Sequence, residues 1–313
     1  MENRNAHRRL GVLIGLAAAV LLVGAGCEPL INPPPGGGTT ITRTFRYGPF
    51  KIPTGGEVMG SPSSGMPRPT GSFGLKGARF DLVDQNGIAY DPHEVHLHHI
   101  VLTTPARTDA LCPGRPERFT GSGSERTPLT LLGPYTYLVG ANDQWGAIYH
   151  LMNMNPPNSP PLTVYIQYTL DYQPAANATN SRPVQPLFQD VTGCGGSTFD
   201  VPGNGGPGSF YYKSRSWTAG RDGMAVFTGA HLHDGGINNK LNDDTTGTTI
   251  CKSKVVYHHP YEFRHIESIG WCLLHEKVTA GHTYTLTSKY DNSHPWFAVM
   301  GINLTYVWWG TQQ

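Results

Sequence analysis

Beyond residue 26 the apolar positions of this chain show almost no helical periodicity. They gather instead in short runs rich in β-branched and aromatic residues, separated by clusters of Gly, Pro and Asn. Such runs lie at 77–83, 94–103, 135–139, 147–152 and 162–172, then at 224–232, 254–257, 283–289 and 298–308. Strand-rich chains with this spacing fold as sandwiches or barrels. The stretch 173–183 (QPAANATNSRP) is small, polar and uncharged up to Arg182, and reads as an interior linker. It divides the chain into 44–172 and 184–313, each the size of one β-sandwich. Residues 200–209 read as a long loop in the second half, and no internal repeat stands out.

The first residues read differently. Arg4, Arg8 and Arg9 form a basic region, followed by an uncharged run of 17 residues from Leu10 to Gly26. This predicts a signal peptide over 1–26, since the run is short for a membrane anchor and holds four Gly. Leu22-Val23-Gly24-Ala25-Gly26-Cys27 resembles a bacterial lipobox, with Gly24 where an aliphatic residue usually stands. Residues 27–43 then form a Pro/Gly-rich tether. The expectation is export to the bacterial cell envelope with a lipid anchor at Cys27. Ordinary signal cleavage and secretion is the alternative.

Composition narrows the function. Charged residues make up 14% of the 313, and Gly (39) and Pro (26) are abundant. Arg4, Arg8, Arg9 and Glu2 belong to the signal, so the remainder carries 20 basic and 21 acidic residues. That balance argues against a nucleic-acid partner. In an oxidising compartment Cys112, Cys194, Cys251 and Cys272 form an even set with three possible pairings. Proximity in sequence favours Cys251–Cys272, which leaves Cys112–Cys194 to staple the two halves.

Histidine is frequent, at 14 residues. His96, His98 and His99 lie in a strand-like run just after His93, and His150 follows the apolar run 145–149. His231 and His233 are two apart, so one strand face carries both imidazoles. Met300 lies in a later strand. Simple alternation pairs His96 with His98 and turns His99 away, unless a bulge intervenes. Imidazoles with a thioether suit copper better than zinc.

The order of these residues resembles that in exported two-domain copper monooxygenases of the peptidylglycine α-hydroxylating and dopamine β-monooxygenase type. These have a His-His pair, a single His, an HxH and a Met, as do His98-His99, His150, His231/His233 and Met300 here. The second half is similar to the stress up-regulated Nod (nodulin-type) family. That likeness is carried by FDVPG (199–203), HLHDGGINNKLND (231–243) with Cys251, IGWC (269–272) and LTSKYDNSHPWFAVMGI (286–302). The resemblance implies two jelly-roll-like β-sandwich domains in tandem, each with one copper, facing a solvent-filled cleft. His98, His99 and His150 would hold the electron-storing copper, with His96 as the alternative ligand. His231, His233 and Met300 would hold the copper that binds O₂ and meets substrate. A reductant such as ascorbate would drive hydroxylation of a small molecule. No counterpart is found for the amidating enzymes' substrate-binding residues, an Arg for the C-terminal carboxylate among them. The resemblance therefore does not extend to peptide amidation.

Two rival functions remain open: a non-catalytic copper-binding envelope lipoprotein, and a carbohydrate-binding or adhesion module using Trp145, Trp308 and Trp309. His258, His259 and His265 read as a polar loop, and His275 and His282 as solvent-facing. His294 is either a hydrogen-bond partner of the site or a loop residue.

Overall fold

The computed structural model describes residues 38–310 apart from Thr179. The signal region, Cys27 and most of the tether lie outside the described residues. The first half holds β1 (Ile41–Ile52), β2 (Glu57–Gly60), β3 (Phe73–Val83), β4 (Val95–Thr108), β5 (Pro116–Gly123), β6 (Leu129–Thr130), β7 (Tyr135–Val139), β8 (Gly146–Asn153) and β9 (Leu162–Pro174). A single 3₁₀ turn over Ala175–Asn177 follows. The second half holds β10 (Arg182–Asp190), β11 (Thr198–Val201), β12 (Phe210–Thr218), β13 (Gly223–Leu232), β14 (Gly236–Asp243), β15 (Thr248–His259), β16 (Arg264–Ile269), β17 (Cys272–Val278), β18 (Thr283–Asp291) and β19 (Trp296–Trp308).

These strands make an all-β sandwich fold. A four-stranded sheet, β2-β8-β4-β5, belongs to the first half, and a five-stranded sheet, β12-β18-β14-β15-β16, to the second. The third sheet runs through both halves in the order β1-β9-β3-β7-β10-β19-β13-β17, with β6 beside β3 and β11 beside β19. Its two parts meet where β7 and β10 pair in parallel over Arg182–Tyr135 and Pro183–Thr136. Alternation makes each strand two-faced. In β9 the buried series is Val164, Ile166, Tyr168, Leu170 and Tyr172, and in β18 it is Tyr284, Leu286, Ser288 and Tyr290. The larger core gathers Leu75, Leu97, Phe119, Trp145 and Tyr168, and continues into Val226, Phe227 and Tyr306 of the second half. Apolar burial therefore joins the halves as well as filling them.

Eight of the nine runs legible from spacing lie within strands, and the ninth, 94–103, starts one residue before β4. The strands that spacing does not reveal are mostly edges or have exposed polar faces. In β12, Ser214 and Ser216 pair across to Thr287 and Thr285 of β18 at 2.9 and 2.6 Å, so that face is hydroxylic. β1 carries Arg43, Arg46 and Lys51 on an edge, and begins at Ile41, inside the stretch read as tether. The stretch read as linker is bounded by the end of β9 and the start of β10. Both expected disulfides are formed. Cys112–Cys194 spans 82 residues and ties the halves, and Cys251–Cys272 spans 21.

Chain-entropy arguments give about 4.5 kcal/mol for the long loop and about 3.3 for the short one. Replacing Cys112 and Cys194 with Ser should lower the urea midpoint more than replacing Cys251 and Cys272. The reverse order would show that native-state contacts, not loop length, set the contribution.

Candidate metal centre

Strand β4 begins by alternating regularly, with Val95 and Leu97 buried in the core and His96 on the opposite face. The phase then changes. The β4–β8 ladder pairs Leu97 with Leu151 but His99 with His150, leaving His98 as an extra residue. Ile100 and Leu102 return to the core. This bulge puts His98 and His99 on one face together with His96, which regular alternation forbids. His150 of β8, directly across from His99, joins them.

The facing surface comes from β13 and β19. Ala230 and Leu232 enter the second half's core, so His231 and His233 point the other way. His231 lies opposite Ile302 and Leu232 opposite Gly301, which puts Met300 on the same face as the two histidines. The structure thus brings both ligand sets into one cluster. Ring centroids are 4.4 Å apart for His98–His150, 5.4 Å for His98–His99 and 5.0 Å for His231–His233. Between the sets, His98 lies 4.0 Å from His233 and His99 lies 6.3 Å from His231. His96 stands 6.0 Å from His98, at the margin. Where the resemblance implies separate centres across a cleft, the bulged β4 turns His98 into contact with His233. One nitrogen from each of His98, His99 and His233 falls within 4.8 Å of the others, close enough to share one ion.

The ring nitrogens are arranged for coordination. The buried Glu125 carboxylate lies 3.1 Å from Nδ1 of His231 and also accepts the Gly123 N–H at 2.8 Å. Nδ1 of His233 donates to the Ala298 carbonyl at 3.2 Å. Each ring's Nε2 is then buried with no partner among the described residues. A buried nitrogen without a partner is costly unless something else binds it. Nδ1 of His98 and Nδ1 of His99 approach to 3.3 Å. His150 presents Nε2 to Glu57 at 2.7 Å. Gly123 permits the close packing, because a Cβ there would come within 2.5 Å of Cε1 of His231.

Burial, then the neighbouring rings, depress the imidazole pKa values. His99 is lowered to about 3, and His98 and His233 are pushed strongly down as well. For His96, burial and Arg126 lower it to about 4. Neutral imidazoles are the form a metal ion requires.

Spacing in the sequence points to neither Glu57 nor Glu125, because each reaches its histidine from a different strand or turn. The remaining histidines sort by contact. His282 is half-buried, with Nδ1 2.8 Å from Asp243, not solvent-facing as its setting suggests. His294 belongs to a loop and lies beside Asp291 and Trp296. His258, His259 and His265 form a surface group together with His93 of the first half. Trp145 is fully buried, while Trp308 and Trp309 are half-covered by Arg182 and Arg221, so no open aromatic platform forms from them.

Residues 161–308, which include His231, His233 and Met300, match the family Stress up-regulated Nod 19. A relative from Cochliobolus lunatus, named "Probable copper-dependent oxygenase clz3", is 28% identical over 247 residues, 72% of this chain and 76% of its own length. One from Phoma sp., named "Probable copper-dependent oxygenase M1", is 28% identical over 252 residues, 74% of this chain and 62% of its own length. Among solved structures, a chain of the T13 IBDV viral particle covers 88% of this chain and 71% of its own at 9% identity. Its TM-score is 0.23, too slight a likeness to bear on fold or function. The second half is thus similar to the Stress up-regulated Nod 19 family, and most of the chain is similar to two proteins named as probable copper-dependent oxygenases.

Acid should unfold the metal-free protein at mild pH. A histidine whose folded pKa lies below its unfolded value binds its proton preferentially in the unfolded chain. Stability is then complete above about pH 6.5 and declines as pH falls toward the folded values. The urea midpoint should drop between pH 7 and pH 5. A midpoint that stays level or rises would mean that these rings are already protonated when folded.

Proposed function

We propose that this chain is a copper-dependent oxygenase that hydroxylates a small molecule with O₂ and an external reductant such as ascorbate. The observation that carries this reading is the imidazole cluster, in which His231 and His233 each present a buried, unpartnered Nε2. His98, His99 and His233 would hold copper, with His150, His231 and Met300 close enough in the fold to complete two ligand sets. Copper bound there supplies the one-electron redox chemistry that O₂ activation needs, and a thioether ligand favours its reduced state.

The chain's own groups do the positioning. Glu125 and the Ala298 carbonyl hold the Nδ1–H tautomers of His231 and His233, which leaves Nε2 as the donor atom in each. Glu57 anchors His150 at the outer edge. Apolar side chains, Ile302 and Leu304 among them, line the cavity that His231 and Met300 also line. We place the protein outside the cytoplasm, anchored by lipid at Cys27. The two disulfides support an oxidising compartment.

A second reading, a copper-holding protein without oxygenase chemistry, draws on the 4.0 Å contact between His98 and His233, which favours one shared ion over two separated ones. Counting copper per chain after loading and desalting separates the two when combined with ascorbate-driven O₂ uptake. Two ions with copper-dependent uptake support the oxygenase. One ion without uptake supports the holder.

His231→Ala and Met300→Ala should each reduce ascorbate-driven O₂ uptake by tenfold or more, and His231→Ala should also lower bound copper. Unchanged copper and uptake in both variants would overturn the assignment of this face. Glu125→Gln, which keeps the shape but loses the charge, should weaken copper binding by about 10–100-fold while the protein stays folded by circular dichroism.

A further inference from the structure

Between the two sandwiches lies a cavity of about 360 Å³. His99, His231 and Met300 line it, and so does a row on β5. Arg118, Thr120 and Ser122 of that strand line the cavity, while Phe119, the extra residue of a bulge against β4, enters the first core. Ser122 adjoins Gly123, against which His231 packs. Arg118 stands four residues further along, at most roughly 13 Å at about 3.3 Å per residue, since the bulge at Phe119 shortens the strand. The space between is mainly apolar, walled by Val101, Ile148, Phe227, Ile302 and Leu304.

Arg118 is built into this wall. It is 92% buried, at 8% relative exposure. Its Nε donates to Asp109 at 2.8 Å and its guanidinium lies 4.0 Å above the Phe188 ring. Nη2 nevertheless has no hydrogen-bond partner among the described residues, and neither does Oγ of Ser122. A buried guanidinium donor left unpaired is expensive, so a fixed Arg with a free Nη2 beside a cavity marks a place for an acceptor. Asp109 already balances the charge of Arg118. Arg115, exposed at the same end, leaves one positive charge over.

We infer that the cavity binds an elongated apolar carboxylic acid. Its carboxylate meets the guanidinium of Arg118 with Arg115 beside it, and its far carbons lie at the His231 and Met300 end. The two ends of the cavity act as a ruler, so the carbon presented to the histidines lies well away from the acid group. The inference rests on the oxygenase reading for which end of the ligand reacts, but the binding itself needs no metal.

The test uses the full-length protein, metal-free and copper-loaded, with decanoate and 1-decanol as probes in calorimetric titrations. Decanoate should bind both forms, and at least about tenfold more tightly than 1-decanol. Arg118→Gln should remove that preference while 1-decanol binding persists, and Arg118→Lys should retain part of it. Equal affinity for acid and alcohol in the unmodified protein, or binding of neither, would overturn the inference. Should Arg118→Gln fail to fold, the acid-against-alcohol comparison in the unmodified protein and in Arg118→Lys still decides. Copper is counted on the same samples. Decanoate binding to a protein that takes up no copper sinks the oxygenase reading and leaves the acid site standing. Full copper uptake with no preference for the acid does the reverse.

Discussion

Imidazoles packed with ring centroids 4.0–6.3 Å apart repel one another as soon as two of them carry protons. Their close packing at the junction between the halves is therefore favourable only while these rings are neutral, the form that can also hold a cation. Burial enforces neutrality, by withdrawing His98, His99 and His233 from water. Hydrogen bonds to Glu125 and to the Ala298 carbonyl act on orientation instead, by committing Nδ1 of His231 and of His233. A neutral ring with its Nδ1–H committed must leave Nε2 bare. The same packing that holds the halves together thus produces a set of unshared lone pairs.

Two backbone devices make that packing possible. The one-residue slip at His98 converts an alternating strand into a surface with consecutive imidazoles, and Leu97 and Ile100 remain anchored on either side. The absence of a side chain at Gly123 lets Glu125 and His231 approach at the end of β5. Around them the apolar core crosses from Phe119 to Phe227 and Tyr306, and Cys112–Cys194 ties the same two halves covalently. The site is thus carried on paired strands backed by core, which fixes side-chain positions as coordination geometry demands.

The sequence shows the all-β class because strands such as β9 and β18 expose one face and bury the other, a pattern of period two that survives without coordinates. It does not show β12 or β1, edge strands whose inward aromatics, Tyr211 and Trp217 in one and Phe45 and Tyr47 in the other, are interspersed with charged and hydroxyl residues. His231 and His233 are legible as a pair because two residues apart on a strand means one face. His98 and His99 are not, because a bulge depends on how β4 pairs with β8, and that information is spread over residues fifty apart. Glu57 and Glu125 are hidden for the same reason. A carboxylate that steadies a histidine needs only to arrive from a neighbouring strand, and no local spacing records the arrival.

Strand β5 links the two parts of the site. Its Arg118, Thr120 and Ser122 line the cavity, and its end leads through Gly123 to the Glu125 that orients His231. Because one strand sets both the far polar end and the tautomer of a histidine, their separation is fixed by the rise of an extended chain and not by a flexible loop. A shift of β5 by one residue would turn Arg118 into the core and withdraw Glu125 from His231 together. Position along the cavity and readiness of the histidine to coordinate are therefore properties of one register, held in place by the β4–β5 ladder and by the Tyr306 hydroxyl bound to the Phe119 carbonyl.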